Sequence, residues 1–359
     1  MKKTLVAVAA MAAVTGAMAQ ATIYGTIEQT YNKYTRSDSG VVTKTTTSFG
    51  SYQMGQSFVG VKGSEDLGNG MKASYLYEFG LATETTAAPT NRQSYVGLSG
   101  GFGALRIGKQ YSQAFNNSVS ADPGGATGAP GALYLVAMTG YNGSEAPLRQ
   151  DKSIQYDLPS LVPGVNITIT KVFGGANSAM TNSTSGTETN GIKTGDGTGF
   201  AINYTSGPFY AGYTTDTVNN TGINFGTTDA TTPVANTIVA ASSTNKNKLN
   251  TSTLTYDLGV AKLNYNSGKM TVGQQFVSSS AFGATIPMGA VSLFASSSTG
   301  KVDTTSTDMT LKGLQYGANY ALSKRTVAYL HSGSTSVTVV GANTPIKING
   351  YGIGIHHSF

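Results

Sequence analysis

The sequence predicts an all-β protein: sixteen antiparallel strands closed into a transmembrane β-barrel. Three observations carry this prediction. The composition suits strands and turns, apolar side chains recur at every second position, and the connections alternate between short and long. The chain has 359 residues, with 46 Gly, 20 Tyr and 13 Phe but neither Cys nor Trp, and only 11% of its residues are charged. About 25% is usual in a soluble domain. Gly, aromatics and uncharged polar residues favour strands and turns. Without cysteine, hydrogen-bonded sheet and burial must supply the stability that disulfides give many exported proteins.

The first residues read differently. Lys2 and Lys3, the apolar run Leu5–Val14 and the small-residue motif Ala17-Met18-Ala19 form a secretory signal peptide over residues 1–19, cut before Gln20. A run of about ten apolar residues is too short to span a bilayer as a helix. Losing Lys2 and Lys3 lowers the formal charge of +6 by two, to +4. The remaining domain, 20–359, contains no apolar run approaching the length of a membrane helix. That excludes a helical span but not a barrel, whose strands need about 9–11 alternating residues.

The alternation recurs along the chain. Phe200, Ile202 and Tyr204 alternate with Ala201, Asn203 and Thr205; Val165, Ile167 and Ile169 with Asn166, Thr168 and Thr170; Leu314, Tyr316, Ala318 and Tyr320 with Gln315, Gly317 and Asn319. A soluble sandwich would bury the apolar face, whereas a barrel would give it to lipid. The connections favour the barrel. Short turns are expected near Ser64–Gly70, Ser99–Gly103, Pro159–Gly164, Ser206–Pro208, Asp257–Gly259, Pro287–Gly289 and Leu322–Arg325. Longer polar stretches such as Gly174–Gly197, Thr217–Asn247 and Ser298–Thr310 lie between them. Seven turns and eight loops connect sixteen strands, and short turns at one end with long loops at the other describe an outer-membrane barrel. Its edges vanish if "ATIYGTIEQTY", after the cleavage site, pairs with the C-terminal "INGYGIGIHHSF". Tyr351, Ile353, Ile355 and Phe359 then face lipid.

The blocks "GVKGSEDLGNGMKASYLYEFG", "NRQSYVGLSGGFGALRIGKQY", "YDLGVAKLNY" and "YALSKRT" resemble the general porins of betaproteobacteria, the neisserial and Burkholderia type. The final "YGIGIHHSF" resembles their C-terminal signal for the outer-membrane assembly machinery, with Phe359 as its mark. The resemblance implies a homotrimer in the Gram-negative outer membrane. It also implies a third loop folded inward to narrow the pore, and a constriction that sets acidic loop residues against basic wall residues. No cofactor or metal is implied. The partners would be outer-membrane lipids and the small hydrophilic solutes and ions that diffuse through.

The third loop, 112–148, contains two acids, Asp122 and Glu145, and an apolar run Ala132–Met138 suited to packing against the wall. For the wall, Arg149 matches a family arginine and shares inward parity with Asp151, Ser153 and Gln155. Arg106 is inward because Leu105, Ile107 and Tyr111 take the lipid face. Lys109 matches a basic family position but has lipid parity, so it belongs at the rim. Arg92 matches a wall arginine yet shares parity with Val96 and Leu98, which requires either a bulge or a rim position. Phe58 stands where the family has an arginine, weakening anion preference. Glu28, Lys62, Lys72 and Glu78 also have inward parity.

Other functions are less well supported. An outer-membrane enzyme would need a catalytic or metal-ligand pattern, and His331, His356 and His357 have none around them. A secreted sandwich adhesin would not segregate its loops by length. Nucleic-acid binding finds no basic stripe despite a pI of about 9.2. A substrate-specific channel with a saturable solute site is the main alternative to a general porin.

Overall fold

The computed structural model describes residues 21–50, 54–124, 149–174, 196–219, 246–272, 275–303, 308–341 and 345–359, with short segments at 188–189, 192–193, 223–225 and 237–239. The expected signal peptide, 1–19, lies outside the described residues. Sixteen strands form one closed antiparallel sheet. They are β1 (Thr22–Asp38), β2 in two segments (Val41–Gly50 and Phe58–Gly68), β3 (Met71–Gly80), β4 (Thr90–Gly100) and β5 (Gly103–Tyr111). A short helix, α1 (Gln113–Ser120), precedes β6 (Arg149–Asp157), β7 (Val165–Val172), β8 (Gly197–Ser206), β9 (Phe209–Asn219) and β10 (Lys246–Asp257). The circuit continues through β11 (Lys262–Val272), β12 (Gln275–Met288), β13 (Val291–Asp303), β14 (Met309–Ala321), β15 (Thr326–Val339) and β16 (Ile346–Ser358).

Each strand pairs with its sequence neighbours, and β1 closes the circuit against β16 in an unbroken register from Thr26↔Ser358 to Asp38↔Ile346. The expected terminal pairing is therefore present. On its other side β1 meets β2 twice, from Thr30↔Gly50 to Asp38↔Val41 and from Thr22↔Lys62 to Thr26↔Phe58. The gap between the two β2 segments faces Glu28.

All seven short turns occur where the sequence places them, at the end of the barrel that holds both chain termini of the sheet. Asn69 and Gly70 illustrate why: both have positive φ (53° and 76°), the backbone of a type I′ hairpin, which Asn-Gly adopts readily. The opposite end departs from the expectation of eight long loops. Only Ser39 and Gly40 separate β1 from β2, and only two residues separate β11 from β12. The stretch Ser298–Thr310 is also mostly strand, since β13 continues to Asp303 and β14 starts at Met309. Thr217–Asn219 and Lys246–Asn247 likewise lie within β9 and β10. Thr and Ser permit an extended ladder, so a polar stretch at that end is not necessarily loop.

The two faces of the sheet are sorted as a membrane barrel requires. Val96, Leu98, Ile107, Ile169, Ile202, Leu254, Leu314, Ile353 and Ile355 are exposed on the outside, more apolar surface than a soluble monomer presents. Tyr204, Tyr256 and Tyr320, exposed near the short-turn end, stand where an aromatic girdle meets the membrane interface. Glu28, Thr30, Gln155, Thr168, Thr253, Asn266 and Gln315 are buried on the inside. The inner face is not polar throughout. Leu249, Met270, Val277, Val302, Met309 and Val337 form a buried apolar cluster with Ala114 of α1, near the long-loop ends of β10 to β15.

Candidate functional site

The inner wall concentrates its charge on β1 to β6, and local breaks in strand regularity put it there. In β4 the register against β3 shifts between Glu78↔Gln93 and Phe79↔Asn91, leaving Arg92 as an extra residue. This bulge turns both Arg92 and Gln93 inward, where each is buried. The conflict between Arg92 and its parity is resolved by the bulge. The Arg92 guanidinium donates to Gln56 Oε1 at 2.7 Å and to the Tyr111 hydroxyl, approaches Glu78 Oε2 at 3.5 Å, and lies 4.7 Å from the centre of the Phe58 ring. Phe58 thus supplies a cation–π platform for Arg92.

A second break in register lies between β5 and β6. The register passes from Gly108↔Ser153 to Gln110↔Gln150, skipping Lys109 on one strand and Asp151 and Lys152 on the other. Lys152 has φ +49° and Gly108 φ +142°. Tyr111, assigned to lipid by simple alternation, ends β5 and contacts the inward groups instead. Its hydroxyl accepts from Arg92, its ring stacks 4.6 Å from Phe115 of α1, and the Arg149 guanidinium lies 5.2 Å over the same ring. Arg92 and Arg149 therefore converge on Tyr111. Lys109 and Asp151 pair with each other at 3.2 Å, so each offsets the other's charge. Arg106 lies lower on the wall, 2.9 Å from Asp157 Oδ2 and 3.4 Å from Gln155 Oε1.

Glu28 fills the break in β2. Its carboxylate is fully buried and accepts from the Tyr329 hydroxyl at 2.5 Å, Thr30 Oγ1 at 2.9 Å and Met54 N at 3.1 Å, with His356 Nδ1 at 3.7 Å. Its backbone N–H donates to Ser57 Oγ at 2.9 Å. This clamp holds 54–57 in place, and Gln56 in turn supports Arg92. Replacing Glu28 by Leu leaves several buried donors unpaired and should cost about 2–4 kcal/mol. In heat-modifiability gels the half-unfolding temperature should fall by about 5–10 °C, and Glu28→Gln should fall less.

The described part of the third loop, Ser112–Gly124, packs on inward side chains. Ser112 caps α1, accepting from Phe115 N at 3.1 Å. Asn117 Oδ1 accepts from the Tyr210 hydroxyl at 2.9 Å, and Asn266 Nδ2 donates to the Ser118 carbonyl at 3.0 Å. Glycines make room for this approach: a Cβ on Gly212 would stand 2.7 Å from Asn117 Nδ2, and one on Gly283 would stand 2.8 Å from Pro123 Cγ. Asp122 is buried, and its carboxylate accepts from Gly124 N at 3.1 Å. Glu145 and the run Ala132–Met138 lie outside the described residues.

The sequence matches the family model described as Gram-negative porin over residues 7–338. The chain belongs to the Gram-negative porin family. Major outer membrane protein P.IB of Neisseria meningitidis is 42% identical over 127 residues, 34% of this chain and 36% of that protein. The protein of the same name from Neisseria gonorrhoeae is 41% identical over 124 residues, 33% of this chain and 35% of the other. The match thus spans about a third of the length of these curated relatives. Among solved structures, an anion-selective porin from Comamonas acidovorans superposes with a TM-score of 0.72 at 20% identity, covering 95% of this chain and 100% of that one. The trimer form of OmpT from Vibrio cholerae gives 0.64 at 15% identity, covering 95% and 99%. At these identities the likeness is one of fold.

Within this porin, Arg92, Arg149, Phe58 and Glu78 come together around Tyr111 and Gln56, whereas Arg106 makes a separate pair with Asp157. Lys62 lies over the Tyr24 ring at 4.5 Å, and Lys72 is exposed near the short-turn end. Tyr24, Gln56 and Gln93 escaped the sequence reading, and Tyr111 was placed on the lipid face. The Tyr24 hydroxyl donates to Glu78 Oε1 at 2.7 Å and Gln93 Nε2 donates to Glu78 Oε2 at 3.0 Å, so both help fix the acid beside Arg92. The usable signals were Gly55 in the β2 break and the Ser112 cap, which ends β5 just after Tyr111.

Proposed function

We propose that the porin forms a water-filled channel for passive diffusion of small hydrophilic solutes and ions across the outer membrane, with a modest preference for anions. The observation that carries this reading is a closed barrel, apolar outside, whose inner wall gathers Arg92 and Arg149 on one tyrosine. Fixed charge lining a wet passage raises the local concentration of its counter-ions. The Comamonas acidovorans neighbour, an anion-selective porin, agrees in sign. The third loop, 112–148, acts as the constriction. Its support is the seating of α1 and Pro123 against inward positions of β9, β11 and β12. Asp122 contributes to its acidic side, and Glu145 is proposed with it. The functional unit is a homotrimer, as the trimer form of the OmpT neighbour supports.

Liposome swelling tests the channel. Proteoliposomes should swell in isosmotic solutions of small sugars and amino acids at rates that fall steeply with solute size. Rates equal to protein-free liposomes would refute diffusion through this chain. The second reading, a channel with a saturable solute site, draws on a polar cavity inside the wall.

A further inference from the structure

We infer that the porin carries a binding subsite for a neutral polyhydroxylated solute, about the size of one sugar ring, between α1 and the inner wall of β4 to β7. The inference rests on the channel reading and adds a solute class to it. A cavity of about 290 Å³ lies there. Six of its lining side chains are carboxamides: Gln93, Gln110, Gln113, Asn116, Gln155 and Asn166. Each offers an acceptor oxygen and two N–H donors. A sugar hydroxyl both donates and accepts, so closely spaced carboxamides can satisfy neighbouring hydroxyls without any net charge.

The charged lining supports neutrality. Arg106 and Asp157 line the cavity and pair with each other at 2.9 Å, so neither an anion nor a cation meets an uncompensated opposite charge there. The lining also offers little apolar surface beyond the rings of Tyr95 and Tyr111, which disfavours an apolar ligand.

The amides are held in place before any solute arrives. Gln155 Nε2 donates to the Tyr111 carbonyl at 2.8 Å, while Gln155 Oε1 accepts from Gln113 Nε2 at 3.2 Å and Arg106 Nη2 at 3.4 Å. Gln110 Nε2 donates to Ser153 Oγ at 3.3 Å. Gln110 is 2% exposed, and its Oε1 has no hydrogen-bond donor among the described residues. Two walls make the site: β4 to β7 on one side, and the first turns of α1 on the other. A solute passing between helix and wall crosses these amides in sequence.

The test is D-glucose titrated against single-channel KCl current in planar bilayers, with gluconate and glucosamine as charged comparators. Each reading is expressed as the fraction of that channel's own sugar-free current. Glucose should reduce the wild-type current saturably, with half-effect at about 1–100 mM. Gln155→Leu and Asn166→Leu should each raise that concentration at least fivefold. A fall linear in glucose, identical for wild type and both variants, would overturn the subsite while leaving the channel intact. Tighter block by gluconate or glucosamine would overturn the neutral class. Absence of any KCl current would instead refute the channel reading and this inference with it. The wild-type glucose curve decides the matter by itself if a variant fails to assemble.

Discussion

Arg149→Glu should turn the pore from anion-preferring to cation-preferring. The substitution changes the inner wall by two charge units beside Tyr111, where Arg92 also converges. Two units about 7 Å from an ion shift its energy by about 1.2 kcal/mol in a water-like medium, and 0.1 M salt roughly halves this. Anion and cation move in opposite directions, so the permeability ratio changes by about 1.2 kcal/mol, on the order of fivefold to tenfold. The reversal potential in a tenfold KCl gradient should therefore change sign. Lys109→Glu should shift it less, because Lys109 is paired with Asp151 across the break in register. An unchanged potential in Arg149→Glu would remove that residue from the constriction.

Deleting Phe359 should lower the amount of assembled porin in the outer-membrane fraction by about tenfold, consistent with losing two backbone hydrogen bonds and an aromatic ring at the closing edge. The contacts are specific. Phe359 N donates to the Gly25 carbonyl at 3.0 Å, Gly25 N donates to the Phe359 carbonyl at 3.2 Å, and the ring lies over Gly25, 2.8 Å from where a Cβ would stand. Conductance of the channels that do assemble should be unchanged, since these contacts lie far from Arg149. Gly25 itself admits no side chain, because a Cβ there would also stand 2.4 Å from the Phe58 carbonyl oxygen of the neighbouring strand. A truncated protein inserted at normal levels would exclude any assembly role for Phe359.

What the sequence could and could not reveal follows from range. Alternation in "YGIGIHHSF" and "KGLQYGANYALS", and turn chemistry at Asn69-Gly70, are local properties. They specified the faces of the strands, all seven short turns and the closing pair β1–β16. Parity fails across a bulge, because one extra residue inverts every assignment beyond it. Tyr111 departs from its parity for a different reason: it is the last residue of β5, directly before the Ser112 cap of α1. Arg92 could be placed only once its partner strand was known, since the bulge is defined by Glu78↔Gln93 and Phe79↔Asn91. The break in β2 belongs to the same class: its filler, Glu28, lies on a different strand. Loop length at the far end misled for another reason, as Ser- and Thr-rich segments can extend a ladder as readily as leave it.

The central claim is a water-filled pore whose inner wall favours anions. Single-channel recording of the wild-type protein in planar bilayers under a KCl gradient tests it most directly. Stepwise insertions of ohmic conductance should appear, with the reversal potential displaced toward that of chloride. Insertions with a reversal potential displaced toward potassium, or purified folded barrel that yields no steps at all, would contradict it.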